Sequence, residues 1–146
     1  MILPDVNVLV YAFKSTDPLQ RVARTWLNDI VAGDSRFALS KLALGAVVRI
    51  TTDPRAYAKA ASLAEAFNFC NDLLSQPHCE VIEPGERHWN IFQRLCFDTN
   101  TRGRDTSDAW YAALAIEWGC EWVTFDRDFL KFPDLKCTIL SSTGTA

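Results

Sequence analysis

Short apolar runs alternate along this chain with segments of helical periodicity, and that alternation restricts the fold more than any other feature of the sequence. Ile2 and Leu3 open a run that ends at Pro4-Asp5. Phe37 to Leu39, Cys79 to Ile82, Glu121 to Thr124 and Lys136 to Ile139 follow as further short strands. Short strands interleaved with helices predict an α/β sandwich around a parallel sheet. Such sheets bind ligands outside the carboxyl ends of their strands, and Asp5 and Asp126 fall at such ends.

The helices between these strands read unevenly. A short one begins near Asn7. Pro18 starts a second, in which Val22, Trp26, Leu27 and Ile30 recur at helical spacing and Gly33 suits the C-terminal cap. Ser40 can cap Lys41 to Thr52, whose apolar residues are too continuous for periodicity to separate helix from strand; length favours helix. After Asp53-Pro54 a long helix is expected, with Ala60, Leu63, Ala64, Phe67, Cys70 and Leu74 on one stripe. Trp89, Phe92 and Cys96 mark another. Beyond the polar loop Asp98 to Arg104, Asp105 or Thr106 caps a helix carrying Ala109, Ala112, Ala113 and Ile116, closed at Gly119.

A chain of 146 residues fits one domain, here 1–146, with a hydrophobic core that needs no disulfide or structural metal. Its 49% hydrophobic and 23% charged residues exclude a disordered or collagenous chain. Asp5 and Asn7 interrupt the apolar opening, which argues against a signal peptide. No apolar run approaches the roughly 20 residues needed to span a bilayer, so no membrane association is expected and a cytoplasmic protein follows. The five cysteines form an odd set without a C-x-x-C pair, and His78-Cys79 lacks completing ligands, which argues against both a disulfide framework and a zinc site. A net charge of -3 is not the footprint of a protein that grips nucleic acid by bulk electrostatics. It is compatible with carboxylates neutralised by bound cations.

Asp5, Asp108, Asp126 and Asp128 each stand at a strand end or helix start flanked by apolar sequence. Singly, each has a plain alternative: a strand-end turn for Asp5, helix-dipole stabilisation for Asp108, a polar turn for Asp126 and Asp128. A parallel sheet would gather all four, and converged carboxylates stay ionised only with cations between them. Oxygen ligands without His or Cys specify Mg2+ or Mn2+.

Asp5-Val6-Asn7, Ser107-Asp108-Ala109 opening an alanine-rich helix, and Val123 to Phe129 (VTFDRDF) resemble the first, third and fourth motifs of PIN domains. The likeness covers most of the chain, including Leu44 to Thr51, Pro54-Arg55 and Phe132 to Leu135, and is similar in particular to the VapC ribonuclease toxins of bacterial toxin–antitoxin pairs. The resemblance implies a three-layer α/β/α sandwich with a short-stranded parallel sheet. It also implies a metal-dependent endoribonuclease leaving a 5'-phosphate and a 3'-hydroxyl, a homodimer, and a VapB-like antitoxin that reaches the acidic pocket with a basic side chain.

On this reading Asp5, Asp108 and Asp126 hold the metal, Asp128 supports it or orients water, and Asn7 stands behind them. Arg49, Arg104 and Arg127 are the RNA-binding candidates, with Arg55, Arg102 and Lys131 as further phosphate contacts. Arg49 lies inside an apolar segment, where a cation needs a partner. The chain departs from the family pattern at Ala46, where a metal-associated Glu is usual. That bears on a second metal, and Asp105, one turn before Asp108, is either a substitute ligand or a helix cap. The alternative function is a catalytically weak or inactive PIN-fold module that binds RNA or a partner. An aspartate-nucleophile phosphatase fits less well, because Asn7 occupies the position of its general acid.

Overall fold

A computed structural model describes residues 1–14, 18–142 and 144–145. Strands β1 (Ile2–Pro4), β2 (Phe37–Leu39), β3 (Cys79–Val81), β4 (Glu121–Thr124) and β5 (Cys137–Ser141) lie parallel, in the spatial order β3-β2-β1-β4-β5. A two-residue strand, β6 (Gly144–Thr145), pairs antiparallel with β5; it is too short to leave a periodic signal in the sequence.

Side chains alternate across the strands and so create a core on each face of the sheet. Leu3, Ala38 and Trp122 face α5 (His88–Thr99) and α6 (Thr106–Trp118), packing with Ile91, Leu95, Ala109 and Ala112. Phe37 and Leu39 face the other way. They pack with Leu9 of α1 (Val6–Phe13), Leu27 of α2 (Pro18–Ala32), Val47 of α3 (Lys41–Thr51) and Cys70 of α4 (Leu63–Leu74). The result is the three-layer sandwich, with a parallel sheet between two helical layers.

Helix boundaries follow local chemistry. Ser40 caps α3 by accepting the Ala43 N–H. Gly119 ends α6 at φ 66°, a left-handed conformation that glycine adopts without steric cost. Four alanines of α6 (109, 112, 113, 115) and Leu114 are buried, so this helix is enclosed on several sides rather than along one stripe. The expected long helix after Pro54 is shorter than its apolar stripe suggests. Ala60 lies in the turns that precede α4, and the helix starts at Leu63, where Ser62 and Glu65 bond each other's backbone N–H in a capping box.

The strand order sets the location of chemistry. From β1 the chain moves outward to β2 and β3, then returns to add β4 on the other side of β1. The crevice between the carboxyl ends of β1 and β4 is therefore the topological switch point of the sheet, where ligands of open α/β sheets bind.

Candidate active site

Asp5 follows β1 directly and is buried, at 7% exposure. Its backbone N–H continues the ladder to Val123 O of β4 at 2.8 Å. Its Oδ2 accepts the Thr124 hydroxyl at 2.6 Å. The Thr124 Oγ1 in turn accepts Asn7 Nδ2 at 3.2 Å and the Asp126 N–H at 2.9 Å, so one fully buried hydroxyl uses its proton and both lone pairs. Asn7 Oδ1 accepts the Phe125 N–H, and Asp126 Oδ1 accepts the Asp128 N–H, opening the 3₁₀ turn Arg127–Lys131. The first and fourth motifs are thus joined across the switch point.

Burial pushes the Asp5 carboxyl from 3.8 up to about 6, against the pull of the Thr124 hydroxyl and the Val6 and Asn7 N–H groups; the charge of Asp108 adds to the push. Asp108, half-buried in the first turn of α6, is also raised. Burial is its main cause, followed by the charge of Asp126; Lys131 opposes, and Asp105 and Asp128 add smaller increments. Asp108 therefore links the buried Asp5 electrostatically to the exposed Asp126, Asp128 and Asp105. Among the described residues none of these five acids forms an ion pair with a basic side chain.

No three Asp, Glu, His or Cys side chains of the described residues are assembled around one point as a ready metal site. The donor set still fits a small hard cation, since Mg2+ is commonly held by one or two carboxylates and keeps several waters. The unneutralised charge between Asp5 and Asp108 is what such an ion would relieve.

The basic candidates occupy exposed positions: Arg49 on α3, Arg104 in the 3₁₀ turn Gly103–Asp105 that precedes α6, and Arg127 in the turn after Asp126. The expectation that Arg49 needs a partner does not hold. It shares the outward face of α3 with Leu42 and Gly45, and it makes no ion pair among the described residues. Ala46 stands three residues before Arg49, partly buried. Thr124 is the functional residue that sequence reasoning passed over. A threonine in a strand reads as an ordinary β-former, and only its tertiary partners distinguish it.

Comparison with known proteins agrees with this geometry. Residues 2–135 match the family model described as PIN domain. Ribonuclease VapC33 of Mycobacterium tuberculosis is 37% identical over 138 residues, covering 94% of this chain and 96% of the relative. Ribonuclease VapC25 of the same species is 34% identical over 136 residues, 93% and 96% of the two chains. Among solved structures, VapBC2 from Rickettsia felis bound to a promoter DNA fragment superposes with TM-score 0.69 at 18% identity, covering 94% of this chain and 97% of its own. Mycobacterium tuberculosis VapC20, a sarcin-ricin loop cleaving toxin, superposes with TM-score 0.67 at 14% identity, covering 93% and 98%.

Proposed function

The chain belongs to the PIN domain family, and from that premise we propose that it is a metal-dependent endoribonuclease, the toxin half of a VapBC-type toxin–antitoxin pair. The observation that carries the reading is the buried Asp5 carboxylate, tied to Thr124 at the switch point and charge-coupled to Asp108 with no basic side chain paired to either. Relatives named as ribonucleases, similar over nearly their full length, support it.

Asp5, Asp108 and Asp126 would hold Mg2+ or Mn2+, and the bound ion would supply an acidified water and charge neutralisation at a phosphodiester. Thr124 and Asn7 fix Asp5 against β4, so its carboxylate keeps one orientation. Asp128, bonded through its N–H to Asp126, would orient water or support the ion. Arg49, Arg104 and Arg127 offer exposed charge to the RNA backbone.

The partner reading has a surface. Leu63 and Phe67 are 64% and 51% exposed on α4, a helix that packs on α3, whose Leu42 is 58% exposed. The stripe expected on α4 is therefore divided: Leu63, Ala64 and Phe67 meet solvent, while Cys70 and Leu74 pack into the core with Ala66 and Leu73. An amphipathic antitoxin helix fits such a patch, with an inserted basic side chain meeting the acidic site. Structures of VapBC complexes among the neighbours support an antitoxin partner. Trp89 and Phe97, exposed one above the other on α5, offer apolar surface for a homodimer. No helix of the described residues is long and apolar enough to cross a membrane.

The second reading, a weakly catalytic binding module, draws on Ala46. Purified protein incubated with structured RNA across Mn2+ and Mg2+ concentrations is expected to cut it, to stop in EDTA, and to lose the activity on Asp108→Asn. Ala46→Glu is expected to raise the rate. Near-absent starting activity that Ala46→Glu restores favours the binding module, and cleavage that persists in EDTA removes metal-dependent hydrolysis altogether.

A further inference from the structure

Tyr111 lies three residues beyond Asp108 on α6, which places the two side chains on neighbouring positions of one helix face. Helical side chains lean toward the N-terminal turn, so the phenol leans toward the end of α6 that carries Asp108. Its ring is held against Trp122 of β4, with centroids 5.6 Å apart and planes at 22°. Trp122 and Thr124 alternate onto the same face of that strand, so the ring is braced beside the bond from Thr124 to Asp5.

The Tyr111 side chain is partly buried, yet its hydroxyl has no hydrogen-bond partner among the described residues and is not sealed from solvent. Two opposite charges act on it. Burial and then the Asp5 carboxylate raise its pKa, while Arg49 pulls it down, so at neutral pH the group remains an O–H donor. A free donor that feels both a carboxylate that would hold a cation and an exposed arginine is suited to an anionic acceptor, and RNA presents one at every nucleotide. The ring itself already uses one face against Trp122, which leaves the hydroxyl as its recognition group.

We propose that Tyr111 is an RNA-holding residue whose hydroxyl donates a hydrogen bond to a phosphate oxygen of the bound strand, beside the positive charge of Arg49. The proposal rests on the ribonuclease reading above. Its distinctive property is neutrality: a phenol binds phosphate without displacing a counterion, whereas an arginine releases one.

Tyr111→Phe keeps the ring on Trp122 and deletes only the hydroxyl. Steady-state cleavage of an oligoribonucleotide in Mn2+ is expected to show KM raised roughly tenfold, kcat within about twofold and an unchanged melting temperature. Repeated across salt concentrations, the variant keeps the parental log–log slope of kcat/KM, while Arg49→Gln lowers that slope by about one. In the unsubstituted protein with 13Cζ-tyrosine, a non-cleavable phosphorothioate oligoribonucleotide is expected to shift the Tyr111 resonance, assigned by elimination with Tyr11→Phe and Tyr57→Phe. This second measurement serves where Tyr111→Phe perturbs folding. Cleavage by the parent with unchanged KM in Tyr111→Phe, a slope that falls as for Arg49, or a Tyr111 resonance indifferent to RNA overturns this proposal alone. A parent that neither binds nor cuts RNA overturns the ribonuclease reading and the proposal together.

Discussion

At the floor of the acidic site Asp5, Thr124 and Asn7 are tied to one another between two strands, whereas at its rim Asp126, Asp128 and Asp105 stand in solvent. The floor residues hold position through hydrogen bonds but keep a carboxylate where water solvates it poorly, and its pKa rises accordingly. Rim residues face water directly. A carboxylate's usefulness to a cation and its cost to the fold thus vary together, and both are greatest at Asp5.

The sharpest way to break this comparison is Asp5→Asn. Cleavage is expected to fall by about 100-fold or more, since the carboxylate proposed to hold the metal is lost while the amide oxygen can still accept from Thr124. Stability moves the opposite way. A folded-state pKa raised from 3.8 to about 6 means that the ionised form opposes folding, by about 3 kcal/mol as an order of magnitude. This contribution to stability is fully favourable below pH 3.8, is lost as pH rises toward 6, and stays lost above it. In EDTA, thermal melts between pH 4 and 7 are expected to show the Asn variant more stable than the parent at pH 7 and the difference vanishing near pH 4. A variant no more stable at pH 7 contradicts the buried-charge account.

Thr124→Val comes next. It preserves shape but strands Asp5 Oδ2, Asn7 Nδ2 and the Asp126 N–H, and chemical denaturation is expected to record a loss of about 2–4 kcal/mol with roughly tenfold slower cleavage. Thr124→Ser, which keeps the hydroxyl, is expected to lose only about 1 kcal/mol for the missing methyl. Equal losses in the two variants make Thr124 a packing residue.

The smallest effects belong to the two rim acids outside the proposed metal-holding set. Asp105→Asn and Asp128→Asn are expected to leave stability within about 0.5 kcal/mol of the parent and to change cleavage only a few-fold. An Asp105 or Asp128 variant as damaging as Asp5→Asn dissolves the distinction between the proposed metal-holding acids and their neighbours.

Much of this arrangement is legible in the sequence because it follows from periodicity and punctuation. Pro4-Asp5 ends a strand, Gly119 ends a helix, and the alternation of elements implies a parallel sheet with acids at its carboxyl edge. What stayed hidden depends on partners distant in the chain. Thr124 reaches Asp5 across 119 positions and Asn7 across 117. The face of α4 that meets solvent, and the outward setting of Arg49, depend on how α3 and α4 pack; apolar content alone does not orient a helix whose residues are apolar on more than one side. The start of α4 at Ser62 is legible as S-x-x-E, but it competes with an apolar stripe that reaches back to Ala60.

The saturated hydroxyl of Thr124 also bears on ion selectivity. Because it occupies a lone pair of Asp5 Oδ2, it would disfavour a bidentate grip of that carboxylate on a cation. Ca2+ favours six to eight oxygens, often with bidentate carboxylates, while Mg2+ takes an octahedron of single contacts. If Asp5 holds the proposed cation, that restraint on one buried carboxylate would favour the smaller ion.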